Sequence, residues 1–191
     1  MNARSDGSSR LPEKNRYHVL YSFSGGWFLS KEKFFAQLPF SKQINNLKFR
    51  VAYGQAGNDP LGSRYFIQNM DSHNFYYFGE ELIPGTAVIQ PANEDINWVI
   101  TTASNLGVDL QMFKNSLNIT IDLYDKTTDN VIYDITLAPS MGFSERFPVN
   151  LASASNKGIE WDIQYRNKAD KVEFYIGLNG AYNKNQVASS S

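Results

Sequence analysis

Strict alternation of apolar and polar residues, carried longest through residues 98–125, constrains this chain more than any other feature. Trp98, Ile100, Thr102, Ser104, Leu106, Val108, Leu110 and Met112 share one side of the first run. Val99, Thr101, Ala103, Asn105, Gly107, Asp109 and Gln111 share the other. After Phe113-Lys114-Asn115-Ser116, Leu117, Ile119, Ile121 and Leu123 point one way and Asn118, Thr120, Asp122 and Tyr124 the opposite way. A period of two puts successive side chains on opposite faces of a strand. Lysine and asparagine between two such runs are turn chemistry, so the pair reads as a β-hairpin.

The pattern recurs on both sides of this hairpin. Tyr17, Val19, Tyr21, Phe23, Gly25, Trp27 and Leu29 alternate with His18, Leu20, Ser22, Ser24, Gly26 and Phe28, with Gly25-Gly26 marking a bulge or a close approach. Leu47, Phe49, Val51 and Tyr53 oppose Lys48, Arg50, Ala52 and Gly54 within a strand over 46–56. Ile159, Trp161, Ile163 and Tyr165 alternate with Glu160, Asp162, Gln164 and Arg166. Past a turn at 167–171, Val172, Phe174, Ile176, Leu178, Gly180 and Tyr182 alternate with Glu173, Tyr175, Gly177, Asn179, Ala181 and Asn183. The expectation is an all-β fold of antiparallel amphipathic hairpins, about six strands, with one short helix over 30–37 capped by Ser30. Residues 1–16 read as a loop. Two long connections, 57–96 and 126–158, separate the strands, the second with a short strand at Val131-Ile132-Tyr133. A connection as long as the first implies function or local structure of its own.

Composition narrows the function classes. The 18 basic and 19 acidic residues nearly cancel and form no basic block, which argues against nucleic-acid binding. Without cysteine there is no disulfide framework and no thiolate metal site. The two histidines, His18 and His73, lie far apart and form no metal-binding motif. No apolar run is long enough for a transmembrane helix, and the first ten residues lack the apolar core of a signal peptide. A membrane β-barrel passes both filters, because its signal is only alternation in segments of about ten residues.

Loop lengths favour that barrel. Connections after the first, third and fifth strands are shorter than those after the second and fourth. Antiparallel strands alternate direction, so the long loops gather at one end, as in outer-membrane barrels. The charged residues Lys48, Arg50, Asp109, Asp122, Glu160, Asp162, Arg166 and Glu173 share the face opposite the apolar row. In a barrel that face is the wet lumen, the apolar row meets lipid, and Tyr53, Trp98, Trp161, Tyr165 and Tyr182 form interfacial girdles.

No catalytic, metal or cofactor constellation emerges, and the chain is not expected to be an enzyme. Ser30 and Lys33 fit the S-x-x-K pattern of serine acyl-enzymes, but no S-D-N or K-T-G completes that site. The carboxylates Glu80-Glu81 and Glu94-Asp95 read as solvated loop charge, and Asp125–Asp129 lacks the spacing of a calcium loop. Candidate ligand contacts are the loop aromatics Tyr65, Tyr76 and Tyr77, whose rings can stack on sugars or simply pack the loop.

Several segments together resemble the SusC/RagA group of TonB-dependent outer-membrane transporters. They are residues 4–10, Phe23-Ser24-Gly25-Gly26-Trp27, residues 47–58, Asn105-Leu106-Gly107-Val108-Asp109-Leu110, Asp122-Leu123-Tyr124-Asp125-Lys126, Asn156-Lys157-Gly158-Ile159-Glu160 and Tyr182-Asn183-Lys184-Asn185. Their order and spacing run through nearly the whole chain. The resemblance implies residence in the outer membrane among its lipids. It also implies TonB-coupled import of glycans or peptides alongside a SusD-like surface lipoprotein. Six strands fall short of the roughly 22 of such a barrel, so residues 1–191 are expected to be an internal part of one, without plug, signal peptide or final strand. The alternative is a soluble or secreted β-rich carbohydrate-binding module, in which the apolar faces of two sheets would meet each other.

Overall fold

The alternating segments assemble into one antiparallel sheet. The computed structural model describes residues 1–143, 145–169 and 172–189. Seven strands, β1 (Asn2–Gly7), β2 (Tyr17–Phe28), β3 (Ile44–Asn58), β6 (Val99–Met112), β7 (Leu117–Ile135), β8 (Phe147–Ala169) and β9 (Val172–Ser189), are hydrogen-bonded in that order. A separate hairpin, β4 (Asn69–Phe78) and β5 (Glu81–Gln90), occupies the first long connection. The order follows the sequence apart from that insertion. Among the described residues β1 and β9 lie at opposite edges without pairing to each other, so the sheet they form is open.

Two expectations are corrected at the ends. Residues 1–16 are not all loop, because Asn2–Gly7 pairs with Tyr17–Ser22. This edge strand has no apolar face to betray it; ladder pairing with β2 places it in the sheet. The expected helix over 30–37 is a set of short 3₁₀ turns at Leu29–Lys31, Phe35–Gln37 and Ser41–Gln43. Ser30 lies inside the first turn and makes no cap; its hydroxyl bonds the Asn46 side chain at 3.4 Å. Of the turn expected at 167–171, residues 170 and 171 lie outside the described residues, and the ladder runs out to the Ala169–Val172 pair. Ser144 in the second connection and the terminal Ser190 and Ser191 lie outside them as well.

The strands outrun their sequence signal at one end. β7 continues past Leu123 to Ile135 and absorbs the segment Val131-Ile132-Tyr133 after a bulge, where the register shifts and Asn130 takes φ 59°. β8 begins at Phe147, well before the alternation at Ile159. Residues 125–130 are polar on both faces, so ladder pairing there leaves no amphipathic trace. No bulge forms at Gly25-Gly26; the register stays regular and the Lys48 side chain lies over Gly26 instead.

Side-chain burial is concentrated at the long-loop end. Leu11, Leu61, Ile96 and Trp98 form a buried cluster backed by Tyr65, Phe66, Ile100 and Ile132. Arg10 fastens the β1–β2 connection to this platform through Asp59 (2.6 and 3.1 Å) and the Leu61 carbonyl (2.7 Å). From the far side, Asn150 bonds the backbone of Asn97 and Asn130, and Asn93 donates to the Pro148 carbonyl at 2.7 Å. These side chains satisfy backbone groups of several loops at once and so tie the connections to one another.

Candidate functional site

The sheet presents two chemically opposite faces. On one, cross-strand register aligns Trp27, Phe49, Val108, Ile121 and Trp161, flanked by the rows Leu47–Leu110–Ile119–Ile163–Leu178 and Val51–Leu106–Leu123–Ile159–Tyr182. Among the described residues no second sheet packs on these rows: Trp27, Val51, Leu106, Leu123, Ile176 and Leu178 are all exposed. The chain's accessible area is 13419 Å², against about 9,200 Å² for a compact soluble monomer of this size. The two-sheet arrangement of a sandwich module is absent among the described residues.

The opposite face is polar and organised around Arg50. On β3 Arg50 stands directly across from Gly107 of β6, and Gly107 directly across from Asp122 of β7. Having no side chain, Gly107 lets the guanidinium lie flat across β6. A Cβ at Gly107 would fall 2.6 Å from Arg50 Cζ. Arg50 Nε and Nη2 donate to the two carboxylate oxygens of Asp109 at 2.8 and 3.0 Å, and Nη2 also donates to Asp122 at 3.1 Å. Thr120 adds a weak bond to Asp109 at 3.5 Å. This fork geometry is the strong form of arginine–carboxylate pairing. It links three strands with charges that an apolar surround would reject. Beyond it, Glu160 and Asp162 of β8 line a concavity with Thr120, Asp122 and Asn179. This face is fit to hold water and polar solutes.

Each sequence-predicted site residue has a definite place, and the three do not converge. Tyr65 packs half-buried on the Leu11–Trp98 cluster, and its carbonyl accepts from the Asn93 amide at 2.8 Å. Tyr76 and Tyr77 are successive residues of β4, so their rings leave opposite faces of the hairpin, and both are exposed beside Phe75 and Phe78. Of the expected girdle aromatics, Tyr53 stacks on Phe23 with centroids 5.3 Å apart and interplanar angle 19°, and on Tyr21 at 6.0 Å. Tyr165 meets Phe174 at 5.9 Å toward the short-turn end. Trp98 is no girdle residue: it is 5% exposed in the loop cluster and its indole donates to the Asn15 carbonyl at 2.9 Å. Trp161 stands in the middle of the apolar band, across from Gly180. The sequence marked Arg50, Asp109 and Asp122 as sharing a face but not as one network; Gly107 directly between them was the available signal. No cluster of His, Asp or Glu able to hold a metal occurs among the described residues.

Comparison with known proteins agrees with this geometry. Residues 2–190 match the family described as "TonB dependent receptor-like, beta-barrel". The chain is 34% identical over 187 residues to TonB-dependent receptor P39 of Formosa agariphila, a match covering 96% of this chain and 17% of that protein. It is 25% identical over 190 residues to TonB-dependent receptor SusC of Bacteroides thetaiotaomicron, covering 96% and 18%. Its backbone is similar to a chain of the RagAB peptide importer in the closed-closed state, with TM-score 0.80, 23% identity, and coverage of 98% and 20%. The chain therefore spans about a fifth of the length of the relatives it matches.

Proposed function

This chain belongs to the TonB-dependent receptor-like β-barrel family, and on that premise we propose that it forms a seven-stranded part of the barrel wall of an outer-membrane transporter. The observation that carries the proposal is the uncovered apolar face running across β2, β3 and β6–β9, backed by a charged face. Lipid is the solvent that such a face suits, and the Arg50–Asp109–Asp122 face suits a water-filled lumen. Both free edges, β1 and β9, are then paired by further strands of the same wall, because an open edge has no partner for its backbone groups in lipid.

Tilt supports the same reading. On β2 the outward apolar residues run from Tyr17 to Trp27, centred on Ser22; on β9 they run from Val172 to Tyr182, centred on Gly177. Ser22 aligns through Gly54, Ala103, Lys126 and Asn156 with Asn185, eight residues from Gly177. At about 3.4 Å per residue and about 4.8 Å for each of the five strand-to-strand steps, a horizontal band requires strands tilted by about 50°. That is the sense and the scale of membrane barrels, whose strands tilt by about 35–45°.

The cargo, in this reading, is a glycan or a peptide taken up together with a SusD-like surface lipoprotein and energised through TonB by the whole protein. The relative named SusC and the RagAB peptide importer support it by likeness. The loop platform and the projecting β4–β5 hairpin face outward, where Tyr76 and Tyr77 meet cargo or the lipoprotein and Tyr65 braces the platform.

Residues 1–191 contain no cysteine, so single substitutions report each face once any cysteine elsewhere in the protein is replaced by serine. In outer membranes of cells producing the protein that carries this chain, Gln164→Cys and Asn179→Cys should react with a water-soluble maleimide. Ile163→Cys and Leu178→Cys should react only with a lipid-dissolved one. Labelling of all four from water, with recovery as a soluble monomer, would overturn the proposal in favour of a soluble binding module.

A further inference from the structure

At its long-loop end the apolar face carries a groove of about 590 Å³ running across β3, β6, β7 and β8. Val51, Leu106 and Leu123 line it, and the stacked rings of Phe23 and Tyr53 close one end. At the other end stands Lys157, whose Nζ is 2.7 Å from Asp125. Directly across from Lys157 on β9 is Lys184. Ser104, Asp125, Lys157 and Lys184 form one register row, adjacent to the last apolar row Leu106–Leu123–Ile159–Tyr182. The charges thus sit where the strands pass from apolar to polar, at headgroup depth if the face meets lipid.

The lysine pairing has an electrostatic gap. Like charges directly opposite on one face of an antiparallel pair repel. Asp125 neutralises one of them, while Lys184 makes no ion pair among the described residues. An anion above the row would relieve the repulsion, and an apolar groove beside it would take a chain attached to that anion.

We propose that this groove selects an anionic lipid, one whose net negative charge is carried on phosphate, from the leaflet on the long-loop side. Its acyl chain lies along Val51, Leu106 and Leu123, and its phosphate rests on Lys157 and Lys184. The inference rests on the reading of this face as lipid-facing. A neutral or zwitterionic lipid can fill the groove equally well, so the two lysines supply the selectivity.

The test uses the protein that carries this chain, bearing a fluorophore on Ile121→Cys, one row from the groove, in nanodiscs of phosphatidylcholine with a minor fraction of phosphatidic acid. Either lipid carries bromine on its acyl chains as the quencher. Brominated phosphatidic acid should quench with about fivefold preference over brominated phosphatidylcholine, the scale of one uncompensated lysine at an anionic surface. The preference should vanish in Lys157→Gln/Lys184→Gln and rise in Asp125→Asn. It should survive Lys126→Gln, which removes the same kind of charge from the opposite face. Equal quenching by both lipids in the unmodified protein, or a preference that survives the double substitution, overturns the lipid site and leaves the barrel reading standing. Quenching by neither lipid shows that the face is not in lipid, and both readings fall.

Discussion

At the scale of single residues, the polar face depends on a side chain that is missing. Arg50 reaches Asp122 two strands away only because Gly107 leaves the space above β6 empty. Gly107→Ala puts a methyl group 2.5 Å from Asp122 Oδ1 and 2.6 Å from Arg50 Cζ, and forces both partners of the ion pair aside. The expected cost is about 1–3 kcal/mol, typical of overpacking, read from the urea midpoint of the heat-modifiable folded band. In an Arg50→Lys background, where no planar fork crosses β6, the same substitution should cost distinctly less. Equal costs in both backgrounds would remove Arg50 from the explanation. A second residue-scale prediction concerns Asp71 in the outer hairpin. The His73 backbone amide, donating at 3.0 Å, and then its ring at 2.8 Å hold the Asp71 carboxyl below its ordinary range. A depressed carboxylate contributes stability above its unfolded pKa and loses it as pH falls through the folded one. The Asx turn should therefore persist through mild acid and loosen only below the usual carboxylate range. Because the backbone amide is the larger cause, His73→Ala should leave the carboxyl still depressed, though less so, when the carboxyl carbon is titrated by NMR.

At the scale of elements, turns and loops divide into those whose sequence announces them and those whose geometry does not. The β6–β7 turn was legible from Lys114-Asn115, yet its conformation is unusual: Phe113, Lys114 and Asn115 all take positive φ, at 53°, 57° and 67°. Left-handed backbone costs a non-glycine residue about 1–2 kcal/mol. Lys114→Gly relieves that at the expense of unfolded-state entropy, so a net gain on the order of 0.5–1 kcal/mol is expected. A lower urea midpoint for this variant would mean that the lysine side chain itself holds the turn. The strands were readable wherever one face is apolar, as along Leu117–Leu123 and Ile159–Tyr165. They became invisible where β7 and β8 continue among Thr127, Thr128, Ser153 and Ser155, because a strand polar on both sides leaves no periodic trace. The β4–β5 hairpin escaped for a related reason. Phe75-Tyr76-Tyr77-Phe78 is aromatic on both faces, so no alternation marked it as a strand. Of the candidate site, the shared charged face was legible and Tyr76 and Tyr77 lie exposed. Tyr65 and Trp98 could not be placed, because their surroundings come from loops far apart in sequence.

At the scale of the whole molecule, one row of the register argues for the orientation of the sheet. Phe23, Tyr53, Ser104, Asp125, Lys157 and Lys184 lie side by side across six strands on the same face. If the strands stood upright in a membrane, this row would lie at one depth, and the aromatic Phe23 and the charged Lys184 would share one solvent. With strands tilted by about 50°, near the membrane-barrel range, the conflict disappears, since Phe23 sits within the hydrocarbon while Lys184 has climbed to the headgroups. An arginine scan of the outward positions separates the two cases. An arginine on the lipid face costs about 2–4 kcal/mol at the midplane and about 0–1 near the interface. On β9 the penalty should peak at Ile176 and Leu178 and fade toward Lys184; on β2 it should peak at Tyr21 and Phe23. The two maxima would then lie about eight residues apart in register, matching the drift of the apolar band. Maxima on a single register row would mean upright strands, and would leave the row from Phe23 to Lys184 without a physical account.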